Sequence, residues 1–137
     1  MRLPFFVYGT LRPGQRNHDA FLRGRIRTER PARLMDAVLY DGPGYPYAVE
    51  EPGGTVHGDL VTAHPDVHGE LLAELDRLEE CTPGGDPRDL YARVRREVVL
   101  DDGQRTPAWV YLAAPAVEAR LRAHGRRIES GDWTDRA

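Results

Sequence analysis

The sequence predicts an α+β fold: a small, mixed and mostly antiparallel sheet, curved or closed into a barrel, with one main helix packed on it. Three observations carry this reading. Short β-branched and aromatic runs recur along the chain, separated by Gly- and Pro-rich turns, as in small barrels. One long stretch, residues 65–80, has helical periodicity. The chain has 137 residues, a length that suits one domain over residues 1–137.

The first run, Phe5-Phe6-Val7-Tyr8, is apolar, uncharged and rich in strand formers. It breaks at Gly9, and Pro13-Gly14 marks a turn. Asn17 to Leu22 fits a short helix ending near Gly24. Arg23, Arg25, Arg27, Arg30 and Arg33 follow, with Arg16 upstream, and such a charge run reads as a solvated face. Ala32–Tyr40 reads as a strand closed by Asp41-Gly42-Pro43-Gly44. After Tyr45-Pro46-Tyr47-Ala48-Val49 comes a second turn at Pro52-Gly53-Gly54, and then a strand over Thr55–Ala63.

Pro65 suits a first helical turn, and the helix is expected to run to about Glu80 and stop before Pro83-Gly84-Gly85. A polar loop leads to strands over Leu90–Leu100 and Arg105–Leu112, with a hairpin turn at Asp102-Gly103. Pro115–His124 reads as a second helix ending at Gly125. Trp133 is a candidate to cover part of the core.

Composition narrows the chemistry. All nineteen basic residues are Arg, which excludes Schiff-base chemistry and a Walker-type phosphate loop. The net charge of −3 leaves no basic footprint for nucleic acid and no membrane-binding patch. A lone Cys81 cannot pair within the chain and fits a reducing compartment. The N-terminus has no long apolar run, so neither signal peptide nor membrane span is expected, and the location implied is cytoplasmic.

His64 and His68 have a helical metal-ligand spacing. Pro65 places His64 outside the helix and no third ligand is evident, so no metal site is assigned. Cys81 lies just past the helix end without an oriented base, which argues against a thiol nucleophile.

Glu79 is the unusual residue of the long helix. At ~100° per residue, Leu71, Leu72, Leu75 and Leu78 form one arc and Glu79 falls inside it, between Leu75 and Leu72. Glu74 and Glu80 fall outside. A carboxylate aimed at the core is costly unless it is hydrogen-bonded or protonated. Fraying of the helix end, which would release Glu79 to solvent, is the competing reading.

The segment Val7-Tyr8-Gly9-Thr10-Leu11-Arg12-Pro13-Gly14, with Gln15 and Asn17-His18 behind it, resembles the opening motif of the γ-glutamylcyclotransferase-like family. That family includes γ-glutamylamine cyclotransferases and AIG2-like proteins. Leu75-Asp76-Arg77-Leu78-Glu79 resembles its Leu-Asp-x-φ-Glu pattern, where φ is apolar. Leu90-Tyr91-x-Arg93 and Trp109-Val110-Tyr111 resemble two later steps, and Gly44-Tyr45-Pro46 and Val56-His57-Gly58-Asp59-Leu60 resemble two further family positions.

The resemblance implies that Glu79 is catalytic, that Tyr8, Gly9, Thr10 and Leu11 bind a small γ-glutamyl substrate, and that Tyr91 and Tyr111 shape the pocket. It implies conversion of a γ-glutamyl amine or peptide to 5-oxoproline and free amine, without cofactor or metal. One departure stands out. Glu80 occupies a position where the family commonly has a small residue, and the loop Gly84–Asp89 looks extended and is expected at the pocket rim. The rival expectation is a non-catalytic small-molecule-binding or interaction module of the same fold. The oligomeric state is left open.

Overall fold

A computed structural model of the chain describes residues 2–135. Five strands close into a mixed barrel: β1 (Phe5–Val7), β2 (Ile26–Tyr40), β3 (Tyr47–Ala63), β4 (Tyr91–Leu100) and β5 (Arg105–Ala113). The order around the barrel is β3-β1-β5-β4-β2, closed by β2 against β3. β1 runs parallel to β5 and antiparallel to β3; the other pairs are antiparallel. A short β6 (Arg127–Ile128) joins β2 at Leu39 and Tyr40. Three helices, α1 (His18–Phe21), α2 (His68–Leu78) and α3 (Pro115–His124), flank it. No helix among the described residues is long and apolar enough to cross a membrane.

Alternation along the strands divides the core. Phe6, Leu34, Leu39, Val56, Leu60, Val98, Val110 and Leu112 fill one buried cluster, which Trp133 joins at 3% exposure. Phe5, Val7, Val49, Val61, Tyr91 and Tyr111 face the other way, against Leu71 and Leu75 of α2 and Val117 and Leu121 of α3. Adjacent residues of β1 thus serve opposite faces, as a two-residue period requires. Both faces are covered, which explains why β1 reads as a continuous apolar run.

Three boundaries differ from the sequence reading. β2 begins at Ile26, so the Arg-rich segment is strand. Its Arg27 and Arg33 point to solvent while the backbone pairs with β3 over Thr28↔Thr62 to Met35↔Thr55. Cross-strand pairing overrides a charge run that offers no apolar alternation. Pro52-Gly53-Gly54 does not separate two strands; β3 runs through it as an irregularity opposite Asp36. Asp36 takes φ 57° and Gly53 φ 90°, and the Gly53 N–H donates to Asp36 Oδ1 at 3.0 Å. A bulge can absorb extra residues while the ladder resumes on either side.

The helix begins at His68, not Pro65. Val67 N–H bonds back to the His64 carbonyl in a turn, and a ring nitrogen of buried His68 lies 2.8 Å from the Leu3 carbonyl oxygen. His68 also stacks on Phe5 at 5.2 Å. It ties α2 to the N-terminal strand.

Where β3 passes β1, the strands approach closely at Gly58. A Cβ there would lie 2.3 Å from the Val7 carbonyl oxygen and 2.7 Å from the Phe6 ring. Gly58→Ala should therefore destabilise the fold by about 1–3 kcal/mol, as overpacking does. Urea unfolding measures this; an unchanged midpoint would contradict the close approach.

Candidate active site

β1 ends at Val7, and the chain turns sharply through Tyr8–Leu11. The turn is held by its carbonyls: Gly9 O accepts from Arg12 N–H (3.1 Å) and Thr10 O from Asn17 N–H (2.9 Å). Asn17 Nδ2 also donates to Thr10 Oγ1 at 2.9 Å. Arg12 locks the far side, with its Nε 2.8 Å from Asp59 Oδ2 on β3 and Nη1 2.7 Å from Asp132 Oδ1 near the C-terminus. Gly9 faces Pro46 so closely that a Cβ would come within 2.7 Å of its ring. The glycine is needed here for space.

The helix end presents Glu79. α2 stops in a Schellman arrangement: Cys81 N–H donates to the Asp76 carbonyl at 2.8 Å and Glu80 N–H to the Arg77 carbonyl at 3.2 Å. Such a stop needs a left-handed residue just past the cap, usually glycine. Here Glu80 takes that conformation, with φ 48°. The tight stop keeps Glu79 on the inward arc while Glu80 turns to solvent, and the end does not fray. Leu71 and Leu75, both at 0% exposure, anchor the same arc.

One cavity brings these parts together. Its lining includes Glu79, the whole turn Tyr8, Gly9, Thr10 and Leu11, and the rings of Tyr91 and Tyr111. About seventy residues separate the turn from Glu79 in sequence. Tyr45 and Pro46 complete the wall; the sequence reading did not single them out as lining. Residues 84–89 do not reach the cavity. Asp86, Arg88 and Asp89 of this loop border a separate surface groove with Asp76 and Arg77. Asp89 draws that loop onto itself by accepting hydrogen bonds from the Thr82 hydroxyl and the Asp86 N–H. The expectation that this loop forms the rim is corrected accordingly.

The hydroxyls around the cavity already have partners. Tyr8 donates to the Tyr111 carbonyl and accepts from Ala48 N–H at 3.2 Å. Tyr91 donates to the Pro46 carbonyl at 2.5 Å, and Tyr111 to Asp76 Oδ1 at 2.7 Å. Burial raises the pKa of all three above the ordinary phenol value. They stay neutral and structural at physiological pH.

Glu79 differs. Burial raises its carboxyl from the usual 4.5 to about 7. That range is the one in which a carboxylate can both take and return a proton near neutrality. Burial also pushes the Cys81 thiol up, which leaves it a poor nucleophile.

Sequence reasoning missed Asp76 and Arg93. Both sit inside the recognised motifs, but their partnership becomes visible only when α2 meets β4. Arg93 Nε lies 2.9 Å from Asp76 Oδ1.

The raised carboxyl has a consequence for stability. Ionised Glu79 costs more in the folded chain than neutral Glu79 does, because burial strips the carboxylate of water. Its contribution is therefore fully present below about pH 4.5 and declines as pH rises towards about 7, where the folded chain also ionises. Glu79→Gln, which cannot ionise, should match the wild type in thermal melts at pH 4.5 and exceed it at pH 8. A stability difference that does not change with pH would contradict the buried carboxylate.

The sequence profile of the family described as "Gamma-glutamyl cyclotransferase, AIG2-like" matches residues 5–135. A Niallia circulans protein named gamma-L-glutamyl-butirosin B gamma-glutamyl cyclotransferase is 32% identical over 78% of this chain; the match spans 64% of that protein's length. A Vibrio cholerae relative, also 32% identical, matches over 96% of this chain and 95% of its own. The crystal structure of an AIG2-like protein from Mus musculus has the same fold, with a TM-score of 0.60 at 23% identity over 83% of this chain and 80% of that one. The profile match covers nearly the whole chain, and the chain belongs to the gamma-glutamyl cyclotransferase, AIG2-like family.

Proposed function

We propose that the cavity catalyses intramolecular aminolysis of a γ-glutamyl amide, releasing 5-oxoproline and a free amine. The observation that carries this reading is Glu79: a desolvated carboxyl with a pKa near 7, facing the rigid turn Tyr8–Leu11 across one cavity. The names of the relatives, one of which refers to gamma-L-glutamyl-butirosin B, favour γ-glutamyl compounds as the substrate class.

The substrate supplies both reactants. Its α-amine attacks its own γ-carbonyl carbon, so the new C–N bond closes a five-membered ring. Holding the two in register removes much of the entropic barrier, and the protein has only to fold the substrate and move protons. Glu79 as carboxylate takes a proton from the α-ammonium. The freed amine adds to the carbonyl, whose oxygen becomes an oxyanion.

In this scheme backbone N–H groups of the Tyr8–Leu11 turn stabilise that oxygen or hold the substrate carboxylate; the turn is held rigid through its Gly9 and Thr10 carbonyls. Protonated Glu79 then gives its proton to the leaving nitrogen as the C–N bond to it breaks and the oxyanion re-forms the carbonyl; the carboxylate so restored takes the second proton from the ring nitrogen and passes it to the departing amine, which leaves as ammonium. Tyr91 and Tyr111, with their hydroxyls engaged, act as walls that curl the γ-glutamyl chain. The scheme draws on no cofactor.

Release of 5-oxoproline from a panel of γ-glutamyl amines and peptides tests the reading. Glu79→Gln should lose at least about 10²-fold in kcat, the lower range for a positioned acid–base group. Glu80→Gln, one residue on and turned outward, should keep most activity. On the wild type, kcat/KM should rise with pH through a limb near 7, because the base must be ionised. Full activity in Glu79→Gln on a verified substrate would overturn the carboxylate mechanism. Absence of turnover across the panel would favour a binding module.

A further inference from the structure

The reaction as proposed puts an oxyanion where the γ-glutamyl chain meets the leaving amine, and no side chain is yet assigned to that oxygen. The walls mark where this junction falls. The cavity is lined on its inner side by the buried Val7, Leu11 and Tyr111. A second chamber adjoins it, and its wall adds the exposed Arg16 and Glu80. Thr10, Tyr45, Glu79 and Tyr91 line both. In the proposed scheme Glu79 reaches the α-amine and the leaving nitrogen, so the scissile bond lies along this shared wall. Thr10 stands in the same wall.

Its hydroxyl is set apart by its hydrogen bonding. A threonine hydroxyl has one proton to donate and can also accept. Thr10 Oγ1 accepts from Asn17 Nδ2 at 2.9 Å. An amide nitrogen only donates, so it cannot take the hydroxyl proton in return. Among the described residues that proton has no acceptor. Tyr8, Tyr91 and Tyr111 differ, since each donates its hydroxyl proton to a protein oxygen. The hydroxyls of Thr82 and Thr134 likewise donate, to Asp89 and Asp132. Asn17 is itself fixed at both backbone groups: its N–H donates to the Thr10 carbonyl at 2.9 Å, and its carbonyl accepts from Phe21 N–H at 3.2 Å. A half-buried hydroxyl with its proton unspent is thus held beside the place where charge develops.

We infer that Thr10 is a catalytic residue whose hydroxyl donates a hydrogen bond to the γ-carbonyl oxygen, and that Asn17 is the positioning residue that aims it. Asn17 occupies one lone pair of the hydroxyl and leaves the proton for the substrate. The bond strengthens as the carbonyl oxygen becomes an oxyanion. The hydroxyl keeps its proton throughout, and Glu79 carries out the proton transfers. The inference rests on the proposed cyclisation of a γ-glutamyl amide.

The test measures 5-oxoproline release, with kcat read on the pH plateau of each variant. Thr10→Val keeps the side-chain shape and removes the donor. It should lose about 10²-fold or more in kcat, as for one oxyanion donor, while KM stays close to the wild-type value. Thr10→Ser restores the hydroxyl and should recover most of that loss. Asn17→Asp puts an acceptor where the amide donor stood, so the carboxylate captures the Thr10 proton. Its kcat should fall towards that of Thr10→Val. The double variant Thr10→Val/Asn17→Asp should fall no further than Thr10→Val, because the effect of Asn17 runs through the hydroxyl.

If Thr10→Val does not fold, Asn17→Asp carries the test, since it leaves the Thr10 side chain in the wall. Undiminished kcat in either folded variant would overturn the inference. So would a loss confined to KM, or an Asn17→Asp loss of the same size with and without the Thr10 hydroxyl. In each of these cases a wild type that turns over, with Glu79→Gln inactive, leaves the proposed reaction standing. A wild type that releases no 5-oxoproline from any γ-glutamyl compound overturns that reaction and this inference together.

Discussion

Three residues, Phe5–Val7, carry the architecture of the site. β1 bonds to β3 on one edge and to β5 on the other, and it closes the barrel between them. Phe5 and Phe6 are each 1% exposed, on opposite faces. Such a strand cannot slide, because a one-residue slip would exchange its faces and cut both ladders. The turn that leaves it is therefore delivered at a fixed height and angle. Arg12 fixes its other end to Asp59 and Asp132. A rigid backbone turn can offer N–H groups to an anion or an oxyanion without reorganising.

The helix end is held by a different means. Leu71 and Leu75 fix the rotation of α2 on the barrel, and burying each contributes about 1.5–3 kcal/mol. The Schellman stop then sets where the chain leaves the helix. That Glu80 adopts a conformation suited to glycine implies a backbone cost of about 1–2 kcal/mol at this stop. Asp76 adds lateral fastening to β4 and β5. Together these place one carboxyl in an apolar wall. The surrounding tyrosines are satisfied by backbone carbonyls and by Asp76, and Glu79 is a lining group whose pKa burial raises to about 7.

Charge is handled in two ways in the same helix turn. Asp76 is buried with a guanidinium and a hydroxyl around it, an arrangement in which removal of one partner leaves an uncompensated charge. Glu79 is half-buried in the cavity wall, and desolvation makes its carboxyl hold its proton to higher pH. Two acids three residues apart thus sit in different settings: Asp76 against a guanidinium and a phenol hydroxyl, Glu79 in an apolar wall.

Much of this was readable before any coordinates. Strand and turn chemistry predicted the curved, mostly antiparallel sheet, and α3 lies where Pro115 and Gly125 bracket it. Leucine spacing on α2 placed Glu79 inward and Glu80 outward, because helical periodicity is a local property of the backbone. The start of β2 was hidden, since its Arg residues carry no apolar alternation and only β3 gives their backbone a partner. Tyr45 and Pro46 were not recognised as cavity wall for a similar reason: a loop's destination depends on what packs beneath it. The Asp76–Arg93–Tyr111 cluster joins residues up to thirty-five positions apart. The sequence by itself determined which residue types lie on which face of each element. Only the tertiary structure decided which faces meet, because closure of the barrel brings the end of β1 and the end of α2 to one cavity, and no local pattern encodes that meeting.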